Sequence, residues 1–249
     1  MTIDNYFKNK SVAVAFSGGV DSAVLLMLAV RYAKRVKAYY VKSAFQPQFE
    51  LDDAREIVQL LGAELDIITL DILGDAQITA NPANRCYYCK KRIFTAICSA
   101  AERDGFDCVC DGTNASDNVA DRPGFKALKE LGVESPLRDC GYTKTMIRTL
   151  ARENALPVAD KCSYACLATR IPTGVEITGD LLNKTEAAEN ELRSLGFHNF
   201  RVRYLDGAAK LELSTRDIML YNSDKDSVDT MLLKYYNGVY LDSKERNDE

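Results

Sequence analysis

The chain begins polar over residues 1–10 and turns apolar at Val12-Ala13-Val14-Ala15-Phe16. It then breaks on Gly18 and Gly19 and resumes at helical period over residues 23–33. An unbroken apolar run predicts a strand buried on both faces, the glycines a tight turn, and the following period a helix. The alternation continues with an apolar strand over 36–41, helical spacing over 49–61 ending at Gly62, and a third strand over 64–70. Strands alternating with helices predict an α/β fold, a doubly wound parallel sheet whose ligand lies at the carboxyl ends of the strands.

Residues 71–84 are irregular, with a turn at Asn81-Pro82, and a helix follows from the Cys86 region to about residue 103. A short strand over 107–111 runs into Gly112-Thr113-Asn114-Ala115. Asp121-Arg122-Pro123-Gly124 predicts a turn before a helix over 125–131, and Ser135-Pro136-Leu137 breaks the pattern. Thr143 is placed to cap a helix reaching 153. Pro172-Thr173-Gly174 is the expected linker, dividing a domain over 1–172 from a small C-terminal α/β domain over 173–249. In the latter a helix over 179–195 precedes strands over 200–204 and 210–213, separated by Asp206-Gly207, then a helix over 226–236 and a strand over 238–241. The charged tail from Ser243 is expected to be disordered.

The first turn, Ser17-Gly18-Gly19-Val20-Asp21-Ser22, opens at a helix N-terminus. Free N–H groups and the helix dipole favour an anion there, and the glycines let a phosphate approach the main chain. Ser17 and Ser22 add hydroxyl donors, while Asp21 suits a magnesium ion shared with phosphate oxygens. Ser43 after the second strand, and Gly112 and Thr113 after the fourth, are expected to face the same nucleotide. The motif is neither the Walker loop nor the dinucleotide fingerprint. It resembles the S-G-G-x-D-S (PP-loop) turn of the ATP pyrophosphatases, and that resemblance implies ATP cleavage between the α and β phosphates with Mg2+.

A chain of 249 residues with 47% hydrophobic and 27% charged residues fits a soluble protein with a proper core. A net charge of −4 argues against broad nucleic-acid binding. The polar N-terminus does not resemble a signal peptide and no stretch reaches membrane-spanning length, so a cytoplasmic protein is expected.

Eight cysteines exceed what packing needs. In a reducing compartment, clustered cysteines lean toward metal binding or catalysis. Cys86 and Cys89, at i and i+3, share a helical face among Arg85, Lys90, Lys91 and Arg92, which favour thiolate. Cys162 and Cys166 lie on an aperiodic stretch between Lys161 and Arg170. Cys98, Cys108, Cys110 and Cys140 are read as buried packing residues, and His198, the single histidine, as structural. Arg201 and Arg203 alternate on one strand and can fork a phosphate; Glu189 on the preceding helix is placed with the same phosphate or metal site.

Asp111-Gly112-Thr113-Asn114-Ala115, Arg122-Pro123-Gly124, Glu130-Leu131-Gly132-Val133, Ala165-Cys166-Leu167-Ala168-Thr169-Arg170 and Arg201-Val202-Arg203 extend the resemblance over nearly the whole chain. It resembles the LarE-type ATP-dependent sulfur transferases of nickel-pincer nucleotide cofactor synthesis. The resemblance implies an adenine nucleotide alpha hydrolase-like domain that adenylates a carboxylate of a pyridinium mononucleotide and converts it to a thiocarboxylate. It implies Cys166 and Asp21 as catalytic residues, a sulfide or other sulfur donor, and a homo-oligomer with no nucleic-acid or membrane partner. In some members a cysteine matching Cys166 gives up its own sulfur; in others Cys86, Cys89 and Cys166 would hold a [4Fe–4S] cluster. Zinc completed by Cys162 is the competing reading of those thiols. The rival activity is a tRNA thiolase with the same loop, which would call for a basic, aromatic-bearing surface.

Overall fold

The computed structural model describes residues 1–118 and 123–246, so Asp121 and Arg122 of the expected turn lie outside the described residues. Two compact units emerge. The first combines Met1–Asp71 with Asn84–Lys161, and the second combines Ile72–Ala83 with Cys162–Glu249. The second unit therefore starts ten residues before the expected linker and recruits a segment from within the first. Asn81 is the reason. Its Nδ2 donates to the carbonyls of Pro172 at 2.7 Å, Val175 at 3.0 Å and Ile171 at 3.3 Å, and its own carbonyl accepts from Gly174 N–H.

In chain order the elements are α1 (Ile3–Phe7), β1 (Ser11–Ala15), α2 (Val20–Tyr32), β2 (Arg35–Lys42), α3 (Gln48–Leu60), β3 (Glu64–Thr69), α4 (Ala76–Thr79), α5 (Arg85–Arg103) and β4 (Cys108–Cys110). They continue with α6 (Pro123–Glu130), α7 (Pro136–Asp139), α8 (Lys144–Glu153), a 3-10 turn (Leu167–Arg170), α9 (Gly179–Ser194), β5 (Phe200–Leu205) and β6 (Ala208–Leu213). The last three are α10 (Thr215–Ser223), α11 (Lys225–Leu232) and β7 (Val239–Leu241). Among the described residues no helix is long and apolar enough to cross a membrane.

The first unit is built on a parallel sheet in the order β3-β2-β1-β4. Because successive strand residues face opposite ways, Val12 and Val14 of β1 pack into a core with α1, α2 and α8, while Ala13 joins Tyr39, Phe94 and Ile97 in a core on the other face. Both faces are thus covered, as a doubly wound parallel sheet requires. The chain leaves β1 toward β2 on one side and reaches β4 on the other, so the carboxyl ends of β1 and β4 flank the switch point where such sheets open a ligand crevice.

The second unit packs α9, α10 and α11 on a sheet in the order β5-β6-β7, through Val202, Leu211, Leu213, Leu192, Tyr221 and Leu232. The described residues 243–246 include a bridge beside β6, against the expectation of disorder from Ser243. Arg246 N–H donates to the Leu213 carbonyl at 2.9 Å, and Lys210 pairs with Asp242 at 2.8 Å.

Candidate active site

At the switch point the glycine-rich turn caps α2. Gly18 has φ +76°, and a Cβ there would stand 3.1 Å from the Glu50 carbonyl and 3.3 Å from the Ala54 Cβ, so both backbone conformation and space demand glycine. Ser22 Oγ donates to the Gly19 carbonyl at 3.0 Å and lies 3.2 Å from Ser17 Oγ, which itself accepts from Gly19 N–H at 3.4 Å. The two serines brace the turn and leave its mouth at the N-terminus of α2.

The loop after β4 presses onto this turn. A Cβ on Gly112 would come within 3.0 Å of Ser22 N and 3.2 Å of Asp21 C. Asp111, buried, accepts from Ser135 Oγ at 2.6 Å and from Thr113 Oγ1, which holds the loop in shape. Asn114 Nδ2 donates to Asp21 Oδ1 at 3.0 Å, and Lys144 Nζ meets Asp21 Oδ2 at 2.6 Å. Asn114 belongs to the stretch 112–115 expected at the sheet's carboxyl edge facing the nucleotide; Lys144 was not singled out from sequence, and no sequence signal for it exists, since its partner lies 123 residues away. Ser43 is buried with its hydroxyl donating to Gln46 Oε1 at 2.7 Å and accepting from Phe45 N–H at 3.2 Å, so it stabilises its own turn.

Cys86 and Cys89 stand on the first turn of α5, the former exposed and the latter half-buried. Cys108 and Cys110 share one face of β4 with sulfurs 4.0 Å apart; Cys110 is buried, whereas Cys108, Cys98 and Cys140 are half-buried, less enclosed than expected. Among the described residues no three His, Cys, Asp or Glu side chains gather closely enough to hold a metal ion.

In the second unit Cys166 heads the 3-10 turn, half-buried, its carbonyl accepting from Thr169 N–H at 2.9 Å and Thr169 Oγ1 at 2.8 Å. Arg170 at the end of that turn is buried. Its guanidinium grips Glu189 through Nε–Oε1 at 2.6 Å and Nη2–Oε2 at 3.2 Å, and both side chains are 0% exposed. Burial acts to lower the Arg170 pKa, but Glu189 outweighs it and the net displacement is upward. Glu189 also accepts from Tyr164 Oη at 2.6 Å and from Val202 N–H at 3.1 Å. Glu189 is therefore the internal hub joining α9, β5 and the Cys166 turn, not a surface carboxylate. Burial, reinforced by Glu189, pushes the Tyr164 hydroxyl far above its ordinary pKa.

Arg203 on β5 pairs with Glu212 and donates from Nη1 to the Thr169 carbonyl, which ties the strand to the Cys166 turn. Arg201, two residues earlier, is half-buried. Burial first, then the charges of Arg246, Arg170 and Arg203, push its pKa down to about 10.

A parallel sheet with a glycine-serine-aspartate turn at its switch point defines a PP-loop nucleotide protein of adenine nucleotide alpha hydrolase-like fold. Comparison with known proteins agrees: the family described as queuosine biosynthesis protein QueC matches residues 11–85. The pyridinium-3,5-bisthiocarboxylic acid mononucleotide synthase of Lactiplantibacillus plantarum is 36% identical over 216 residues, 85% of this chain and 78% of that protein. An uncharacterized Synechocystis protein, slr1717, is 35% identical over 85% of this chain and 79% of its own length. A tRNA-specific 2-thiouridylase of Thermotoga petrophila is 28% identical over 60% of this chain and 54% of its own length. The chain belongs to the family of the pyridinium-3,5-bisthiocarboxylic acid mononucleotide synthase, the LarE family, and is an ATP-dependent sulfurtransferase.

Proposed function

We propose that this enzyme adenylates a carboxylate of a pyridinium mononucleotide and replaces one carboxylate oxygen by sulfur. The observation that carries the reading is the second unit's juxtaposition of a cysteine-headed turn with an arginine strand, through Arg203 and Thr169. ATP supplies the adenylyl group: the carboxylate oxygen attacks the α-phosphorus, and pyrophosphate leaves. A poor leaving group thereby becomes AMP, which a sulfur nucleophile can displace. Ser17, Gly18, Gly19, Ser22, Gly112 and Thr113 cradle the nucleotide in this reading, with Ser43 shaping the floor of the crevice. Asp21, with an oxygen-rich, one-quarter-exposed carboxylate, fits a Mg2+ that screens the departing pyrophosphate. Arg201 and Arg203 hold the acceptor's phosphate, and Glu189 positions them by anchoring Arg170 and the Val202 backbone between them.

Cys166 is the sulfur-bearing residue of this account. The three cysteines Cys86, Cys89 and Cys166, each reaching solvent, carry the thiolate chemistry that a [4Fe–4S] cluster would require. When bound, such a cluster with three protein ligands offers an open iron for an exogenous sulfide, sparing Cys166. A homo-oligomer is consistent with exposed Met219, Leu233 and Tyr240 in the second unit.

The test is anaerobic incubation of the purified protein with ATP, Mg2+, sulfide and nicotinic acid mononucleotide as a pyridinium carboxylate probe. Mass spectrometry should find an oxygen replaced by sulfur in the probe, matched by AMP, with Cys166 intact in brown, iron-containing protein. A colourless protein in which Cys166 becomes dehydroalanine would overturn the cluster and leave the sulfur transfer. An unaltered probe and pyridinium carboxylates that fail to stimulate AMP release would overturn the acceptor class.

A further inference from the structure

Cys108 and Cys110 on β4 take no part in the chemistry above. As residues i and i+2 of one strand they point the same way, and their sulfurs lie 4.0 Å apart, Cys110 buried and Cys108 half-buried. The backbone beneath them is held on both sides. Val12 and Val14 of β1 stand opposite Cys108 and Cys110, and Glu134 N–H donates to the Val109 carbonyl at 2.9 Å. Tyr6 Oη lies 3.5 Å from Cys110 Sγ and donates to Glu134, whose Oε2 also meets Lys10 Nζ at 3.2 Å.

Two thiols this close can be joined by a disulfide or by a bridging ion, and distance decides between them. A disulfide needs its sulfurs about 2.05 Å apart, so the pair would have to close by roughly 2 Å within a strand held from both sides. Residues i and i+2 of a strand also stand about 6.6–6.8 Å apart at Cα, the upper limit of the disulfide range. An ion at a thiolate bond length of about 2.3 Å needs no such movement, because sulfurs 4.0 Å apart subtend about 120° at it.

Coordination number then selects the ion. Among the described residues no third Cys, His, Asp or Glu stands close enough to complete a set. Soft thiolate donors select Cu(I), zinc and iron–sulfur clusters. Zinc and the clusters take four ligands, whereas Cu(I), with a single charge and a filled d shell, is satisfied by two sulfurs. The hydrogen bond between the thiols holds Cys108 below its ordinary pKa, and the same bond together with burial holds Cys110 well above it, so Cys108 is the sulfur that ionises first.

We propose that Cys108 and Cys110 form a two-thiolate site for a soft monovalent cation of the Cu(I) class, the ion taking the place of the proton between the sulfurs. The assignment does not depend on the acceptor or on the cluster.

Anaerobic titration of the full chain with Cu(I), in competition with the chromophoric chelator bicinchoninate, tests it. Because Cys86, Cys89 and Cys166 also offer thiolates, wild type is compared with a C86S/C89S/C166S variant, C108S is added to each, and thermal midpoints are checked without metal. The triple variant should keep one tightly bound Cu(I). Adding C108S should weaken that ion at least about 100-fold, since one of its two thiolate ligands is gone. C98S, C140S and C162S, added in turn, should leave it within about twofold. X-ray absorption should show two sulfur neighbours around the copper. A triple variant that binds no Cu(I), binding that survives C108S, or a four-ligand shell overturns the proposal. Should C108S fail to fold, C108A removes the same sulfur from a half-buried position without adding a polar group, and the same outcomes decide.

Discussion

The turn around Asp21 and the cluster around Glu189 and Glu212 are both charged, yet they handle charge in opposite ways. Asp21 is partly exposed, and its single negative charge is matched by Lys144 at 2.6 Å. Under the proposed function a cation and a polyphosphate would replace that pair by exchange, Asp21 meeting Mg2+ and Lys144 the phosphates. In the second unit the Arg170–Glu189 pair is fully buried and cannot exchange, while Arg203 and Arg246 both lie against Glu212. Under the proposed function the first arrangement serves a nucleotide that arrives with its own metal, and the second the phosphate of the acceptor.

The sharpest way to break this contrast is at Asp21. D21A should reduce AMP formation by about 10²–10³-fold, on the scale of losing one preorganised charge-stabilising group, with the unfolding midpoint in urea unchanged because the residue is on the rim. If D21A instead unfolded the protein, Asp21 would be a structural partner of Lys144. At Glu189 the expectation is reversed. E189Q should destabilise the fold by about 3–5 kcal/mol, since it leaves Arg170 buried without its counter-charge, measurable as a drop in the urea midpoint. A loss below about 1 kcal/mol would mean that the pair is solvated and exchangeable like Asp21–Lys144.

G18A comes next. A left-handed φ and the contact with the Glu50 carbonyl should cost about 1–2 kcal/mol and also impair ATP binding, because the turn must shift. T143A tests the smallest effect. Thr143 Oγ1 accepts from Met146 N–H and caps α8, and its loss should cost about 1 kcal/mol. A modest rise in the KM for ATP should follow, because the cap also sets the position of Lys144.

The legible parts of the molecule are those encoded by neighbouring residues. The apolar run 12–16 and its glycines announce β1, the turn and α2, and the period over 86–103 announces α5 within a residue of its observed start. Thr143 was recognisable as a cap, and it is one. What the chain order conceals depends on distant partners. Residues 72–83 join the second unit because one amide side chain reaches three carbonyls 90 to 94 residues away. Glu189, expected from sequence at the phosphate or metal site, is instead buried against Arg170, 19 positions earlier, a pairing that chain order does not announce. Lys144 sits at a helix N-terminus, where a cation is unfavourable, and only Asp21 explains it. Arg246 lies in a run of charges that composition alone assigns to solvent, and α10, with exposed Met219 on its surface, has too short an apolar face to declare itself.

The central claim is that the turn at Ser17–Ser22 activates a carboxylate by adenylation. The most direct test is to incubate the full chain with Mg2+, sulfide, nicotinic acid mononucleotide and ATP labelled at the α or at the β phosphate in parallel, separating the products by chromatography. AMP and pyrophosphate, formed in equal amounts and dependent on the mononucleotide, are the predicted result; ADP and phosphate as the main products would contradict it.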